Sequence, residues 1–146
     1  MSAQTIALAS DHAGFDLKEH LKRELQAAGH VILDLGTSST DSVDYPDFGT
    51  ALAGAIRDGR AGRGVLVCGT GIGISIAANR EPAVRAAVVH DVTSARLARQ
   101  HNDANVIALG ARLVGPEVAK DCLRAFLETP FEGGRHAARV AKLSSR

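Results

Sequence analysis

Gly64-Val65-Leu66-Val67-Cys68-Gly69-Thr70-Gly71-Ile72-Gly73, continuing into Ile74-Ser75-Ile76-Ala77-Ala78-Asn79, is the stretch that decides the fold. Its first four residues form a short apolar run suited to a strand buried on both faces. Three glycines break the run, and residues 75–79 resume at helical spacing. Working outward, the same alternation recurs. Apolar runs at Ile6-Ala7-Leu8-Ala9, Val31-Ile32-Leu33, Ala86-Ala87-Val88-Val89 and Val106-Ile107-Ala108-Leu109 are separated by amphipathic stretches at 15–28, 48–56, 94–100 and 118–127. About five strands alternating with helices predict an α/β, Rossmann-like parallel sheet covered on both faces.

The 146 residues suit a single domain, 1–146, and are too few for an eight-stranded α/β barrel. Residues 15–28 read as a covering helix, with Leu17, Leu21 and Leu25 inward, Lys18, Lys22, Arg23 and Glu24 on the other face, and Gly29 closing it. Residues 36–46 read as a surface loop, and His20 and His30 as surface residues. After Thr129-Pro130 the chain turns basic, and Arg135, His136, Arg139, Lys142 and Arg146 form an extending C-terminal helix.

Composition narrows the partners. Aromatics are 3% of the chain, so no platform for stacking bases stands out and nucleic acid is not expected. The 17 Lys and Arg against 16 Asp and Glu give no field to steer a polyanion or hold a membrane surface, so an anion must be bound locally. Two cysteines, no signal peptide and no long apolar span predict a cytoplasmic protein with reduced thiols.

In an open α/β sheet, ligands bind at the carboxyl ends of the strands. Those ends carry Ser10-Asp11-His12, Cys68 with its glycine turn, His90-Asp91 and Gly110-Ala111-Arg112, while the helix before the fifth strand ends at His101-Asn102-Asp103. The glycine turn brings backbone amides and a helix N-terminus together, which makes an anion cradle or, more plainly, a tight connection. It is neither a P-loop nor a dinucleotide fingerprint, because no Lys-Ser/Thr pair follows and Ile74 stands where the third glycine belongs.

Cys68 enters this turn, where amide dipoles favour thiolate over thiol and suit it to proton abstraction; packing as a small core residue is the other reading. Cys122, on an apolar helix stripe, reads as inert. His12 and His101 offer acid-base chemistry or ordinary turn and helix-end roles. Arg112, Arg135 and Arg139 offer forks for phosphate oxygens, or a solvated basic face.

Taken in order, Ser10-Asp11-His12-Ala13-Gly14, Asp44-Tyr45-Pro46, the run Cys68 to Asn79, Arg99-Gln100-His101-Asn102 and Glu132-Gly133-Gly134-Arg135-His136 resemble the type B ribose-5-phosphate isomerases over essentially the whole chain. The resemblance implies a cofactor-independent and metal-independent aldose–ketose isomerase of carbohydrate metabolism. It implies that Cys68 moves a proton between C1 and C2, that the amides of Gly69, Thr70, Gly71, Ile72 and Gly73 stabilise the enediolate, and that Thr70 assists at the oxygen. His101 would open the sugar ring with Asp11 close by, Asn102 would bind the sugar, and Tyr45 would line the site. His12, Arg112, Arg135 and Arg139 would hold the phosphate. Family members are dimers or tetramers with sites between subunits. One branch uses a glutamate within the turn helix; Cys68 is present here and Ser75 stands where that acid belongs, so the chain resembles the cysteine branch.

The family also contains allose- and galactose-6-phosphate isomerases, so a hexose phosphate is the alternative substrate. Two further readings differ in class. One is a metal-dependent enzyme with Asp11, His12, His90, Asp91, His101 and Asp103 as ligands, for which chelation is the discriminating test. The other is a non-catalytic sugar-phosphate binder or one subunit of a mixed isomerase, which an assay of the single chain distinguishes.

Overall fold

The computed structural model describes residues 2–145. Five strands, β1 (Thr5–Ser10), β2 (Val31–Asp34), β3 (Arg63–Cys68), β4 (Ala86–Val88) and β5 (Val106–Gly110), form one parallel sheet in the order β2-β1-β3-β5-β4. Helices α1 (Phe15–Ala27), α2 (Tyr45–Arg57), α3 (Ile72–Ala78), α4 (Val92–Asn102) and α5 (Pro116–Glu128) connect and cover the strands, and α6 (His136–Leu143) closes the chain. The expected Rossmann-like architecture is the one observed.

Strand alternation splits the core into two layers. Ile6, Leu8, Val65, Val67, Ile107 and Leu109 face Leu21 and Leu25 of α1, Ala95 of α4 and Cys122 and Phe126 of α5. Ala7, Ala9, Leu66, Cys68 and Ala108 face Leu52 of α2 and Ile74 of α3 on the opposite side. The central strands are buried on both faces, which is why they read as unbroken apolar runs. Cys122 is fully buried as expected, and burial first of all, aided by nearby Asp91 and Asp121, pushes its thiol up to about 11.

Several local expectations are corrected. Helix α2 starts at Tyr45, not at residue 48, because Pro46 falls in its first turn, where a missing N–H costs nothing. Helix α3 likewise starts at Ile72, within the glycine run. His30 is buried, its Nδ1 accepting from the Gln4 N–H at 3.1 Å. The expected C-terminal helix is present as α6, and it contacts α4 of its own chain.

Lys18, expected on the polar face, is 1% exposed and donates to both Asp34 oxygens at 3.0 and 2.9 Å. Lys22 joins at 2.9 Å. Burial alone would raise the Asp34 carboxyl, but bonds from Lys22, Lys18 and the Gly36 N–H outweigh it and hold the group below its ordinary range. Asp34→Ala removes both hydrogen bonds of the buried Lys18 ammonium and leaves it only Glu19, at 3.7 Å, and we expect a loss of about 3 kcal/mol in urea unfolding at neutral pH. A depressed folded value means that Asp34 stabilises above its unfolded pKa of about 3.9 and loses that contribution as pH falls through the folded value. The difference between parent and variant should therefore shrink in acid.

Candidate active site

The chain leaves β1 for β2 on one side and returns through β3 on the other, so a crevice opens between the carboxyl ends of β1 and β3. Ser10 pairs with Val67, and the Asp11 N–H donates to the Val67 carbonyl at 3.3 Å, which sets Asp11 beside the end of β3. Its Oδ1 accepts from the Gly14 N–H at 3.1 Å. A Cβ on Gly14 would lie 2.4 Å from the Val67 carbonyl oxygen, so only glycine lets α1 begin this close to the strand.

Cys68, the last residue of β3, turns toward α2 and α3 and is almost wholly buried. The Gly71 N–H donates to its Sγ at 3.1 Å. That bond depends on Gly71 adopting φ 78°, a left-handed conformation, and a Cβ there would also sit 2.9 Å from the Leu109 carbonyl carbon. The turn is further fixed by the Ile72 N–H donating to Thr70 Oγ1 at 3.2 Å and by Ser75 Oγ donating to the Ile72 carbonyl at 2.7 Å. The Ser75 hydroxyl is thus engaged with its own helix.

His12 Nδ1 accepts from the Val43 N–H at 3.1 Å, which leaves Nε2 to carry the proton of the neutral ring. The Arg112 guanidinium lies against Gly69, and its backbone N–H donates to the Gly69 carbonyl at 3.0 Å. The Tyr45 ring packs over Gly73, where a Cβ would come within 2.5 Å of it. Asp11, His12, Tyr45, Cys68, Gly69, Thr70, Ile72, Gly73 and Arg112 therefore line one open cleft of about 440 Å³, with Gly71 directing its amide at the sulfur. A buried thiol, a carboxylate, a histidine, an arginine and a turn of amides can bind an anionic ligand and move protons on it.

The structure does not bring His101, Asn102, Arg135 or Arg139 to this cleft. Helix α4 packs on the other layer, through Ala95 and Ala98, and runs back against the strands. Its last residues consequently lie at the amino end of the sheet: Asp103 interacts with Arg63, the first residue of β3, and the Gly64 N–H donates to the Asn105 carbonyl. Cys68 ends that same strand. Within one chain His101 and Cys68 are thus divided by both the thickness of the sheet and the length of β3, and Asp11 is not close to His101.

At the His101 end, its ring stacks on His136 with centroids 4.5 Å apart and planes at 15°. Glu132 Oε1 lies 3.5 Å from His136 Nε2. The buried Arg99 donates to the Thr129, Asp103 and Ala104 oxygens, and the Glu132 N–H donates to the Gln100 carbonyl at 3.1 Å, tying the tail to the end of α4. Glu132 and His136 stand together in the tail motif, but nothing in the sequence pairs them, because a glycine turn and not a helix lies between them and i, i+4 spacing carries no signal there. Asn102 lines a separate cavity with Arg85 and Leu143. The six residues of the metal-enzyme reading share no centre. Asp91 caps α4, its Oδ1 accepting from the Ser94 N–H at 2.6 Å, and Asp103 pairs with Arg99 and Arg85.

The family model described as Ribose/Galactose Isomerase matches residues 6–143. The chain is 45% identical over 140 residues to ribose-5-phosphate isomerase B of Escherichia coli, covering 96% of this chain and 94% of that one. It is 46% identical over 140 residues to D-erythrulose-4-phosphate isomerase of Pectobacterium atrosepticum, covering 95% and 92%. Among solved structures, a ribose 5-phosphate isomerase from Thermotoga maritima superposes with a TM-score of 0.96 at 47% identity, covering 99% of this chain and 100% of that one. Among the described residues, no helix is long and apolar enough to cross a membrane.

Proposed function

The chain belongs to the ribose/galactose isomerase family, and from that premise we propose that it interconverts D-ribose 5-phosphate and D-ribulose 5-phosphate with Cys68 as the base. It is an aldose–ketose isomerase. In the direction from the aldose, the Cys68 thiolate takes the C2 proton, the electron pair moves toward the C1 oxygen to give the enediolate, the C2 hydroxyl proton passes to the C1 oxygen, and the proton on Cys68 is returned at C1 to leave the C2 ketone. The amides of Gly69, Thr70 and Gly73 meet the charge that develops on oxygen, while those of Gly71 and Ile72 hold Cys68 Sγ and Thr70 Oγ1 in place, and Thr70 assists at the oxygen. His101 opens the sugar ring with Asp11 of the shared site assisting, Asn102 holds the sugar, and Tyr45 lines the site. His12, Arg112, Arg135 and Arg139 take the phosphate.

The observation that carries this reading is the Gly71 N–H donated to Cys68 Sγ, which fixes the sulfur in a cleft that also presents Asp11, His12 and Arg112. Placing His101, Asn102, Arg135 and Arg139 in the same site requires a second copy of the chain, so the working form is a homodimer or homotetramer with shared sites, acting in the cytoplasm on a phosphorylated sugar.

The test is kcat/KM of the purified protein, without added metal, on ribose 5-phosphate, allose 6-phosphate, galactose 6-phosphate and erythrulose 4-phosphate. The pentose should lead the others by more than about tenfold, or about 1.4 kcal/mol in transition-state binding. Preference for a hexose or tetrose phosphate would move the substrate and keep the chemistry. No turnover of any would overturn the reading in favour of a binding role.

A further inference from the structure

We propose that His101, Glu132 and His136 form a site for a divalent transition-metal ion, zinc by ligand class, and that its occupation stops turnover by taking the His101 ring. Among the described residues these three are the only His, Cys, Asp or Glu side chains grouped closely enough to hold an ion, with their ligand atoms all within 4.8 Å of one another. Two imidazoles and one carboxylate are a donor set that zinc accepts in open three-ligand sites, with a fourth position left for water.

The framework is already tied down by backbone. The Glu132 N–H bonds to the Gln100 carbonyl next to His101, the His136 N–H bonds to the Gly133 carbonyl at 3.0 Å, and Arg99 holds the end of α4 to the start of the tail. What remains soft is side-chain torsion. Stacked rings direct their lone pairs nearly parallel, and a modest rotation about χ2, which is broad for histidine, makes them converge. Each ligand atom then moves by less than about 1 Å to reach a bond of about 2.0–2.1 Å. His136 is buried and fixes the floor of the site, while Glu132 is half-exposed and gives an ion its way in.

The consequence rests on the ring-opening role proposed for His101. A nitrogen bound to zinc neither takes nor gives a proton, so the metal competes with catalysis without touching Cys68.

The experiment uses the intact oligomer and zinc itself. Zinc affinity is measured by competition with a chromophoric chelator, and turnover of ribose 5-phosphate is followed over the same zinc range. One ion per chain is expected in the parent and in Cys68→Ser. Glu132→Gln should bind zinc more than about tenfold more weakly, because even groups that only support a ligand contribute that much. Its metal-free turnover should match the parent, and its inhibition by zinc should shift by the same factor as its affinity. His136→Asn provides a second ligand variant.

Unchanged affinity in both ligand variants, or loss of binding in Cys68→Ser, would overturn the site. Zinc held by the cluster without inhibition would overturn the brake and with it the role of His101. A metal-free parent that turns over nothing would remove the proposed function, and the titration would still decide the metal site.

Discussion

Cys68→Ser is expected to lower kcat by at least about 10³-fold while sugar-phosphate affinity stays within a few-fold of the parent. The substitution keeps a small polar side chain at the end of β3 and leaves the Gly71 N–H an acceptor, so the fold of the turn is preserved. What it removes is basicity: an alcohol gives up its proton far less readily than a thiol, and no other group takes its place at the sulfur. The cleft contacts that bind the ligand, including His12, Arg112 and the amides of the glycine turn, are untouched. Rate and affinity should therefore separate, which steady-state kinetics and calorimetry with ribose 5-phosphate on the variant both read. A Cys68→Ser enzyme within tenfold of the parent rate would remove the cysteine from the base role.

The second large effect concerns two inactive proteins. If each site takes Cys68 from one chain and His101 from another, Cys68→Ser and His101→Asn should complement. Subunits unfolded together and reassembled at equal concentration give about half mixed dimers by random pairing, and each mixed dimer holds one site with both native groups and one with neither. Activity should rise from near zero to about a quarter of the parent value. Recovery on that scale is impossible when both groups serve the same chain's site, so a mixture that stays silent while parent subunits regain activity under the same protocol would place His101 outside the shared site.

The sequence was most legible where one physical requirement dominated a run of residues. Strands β1, β3 and β5 are buried on both faces and so could only be apolar, and the glycines after Cys68 marked a turn where backbone had to crowd the chain. Lys18 was misread because a charged residue on a helix is normally solvated, and its partner Asp34 lies on β2, sixteen positions away. Pro46 reads as a loop residue by composition and becomes a helix start only when the helix is known. Strand order was also invisible: nothing in the apolar runs says that β5 inserts between β3 and β4.

The cleft half of the candidate site was legible for the same reason. Asp11, Cys68 and Arg112 end or follow strands, and strand ends in a parallel sheet share one edge. His101 follows a helix, and a crossover helix delivers its end to the opposite edge. The motif named these residues together, but it could not say that one chain holds them apart.

The burial of Cys122 bears on how this protein can be counted. With its thiol pushed up to about 11, on the order of one Cys122 in a thousand is ionised at pH 8, and no side of it meets solvent. Cys68, though nearly buried, lines the cleft, from which a small reagent reaches it. An alkylating reagent at mild pH should therefore consume one equivalent per folded chain, protected by ribose 5-phosphate, and the label incorporated becomes a census of competent sites that is independent of any rate.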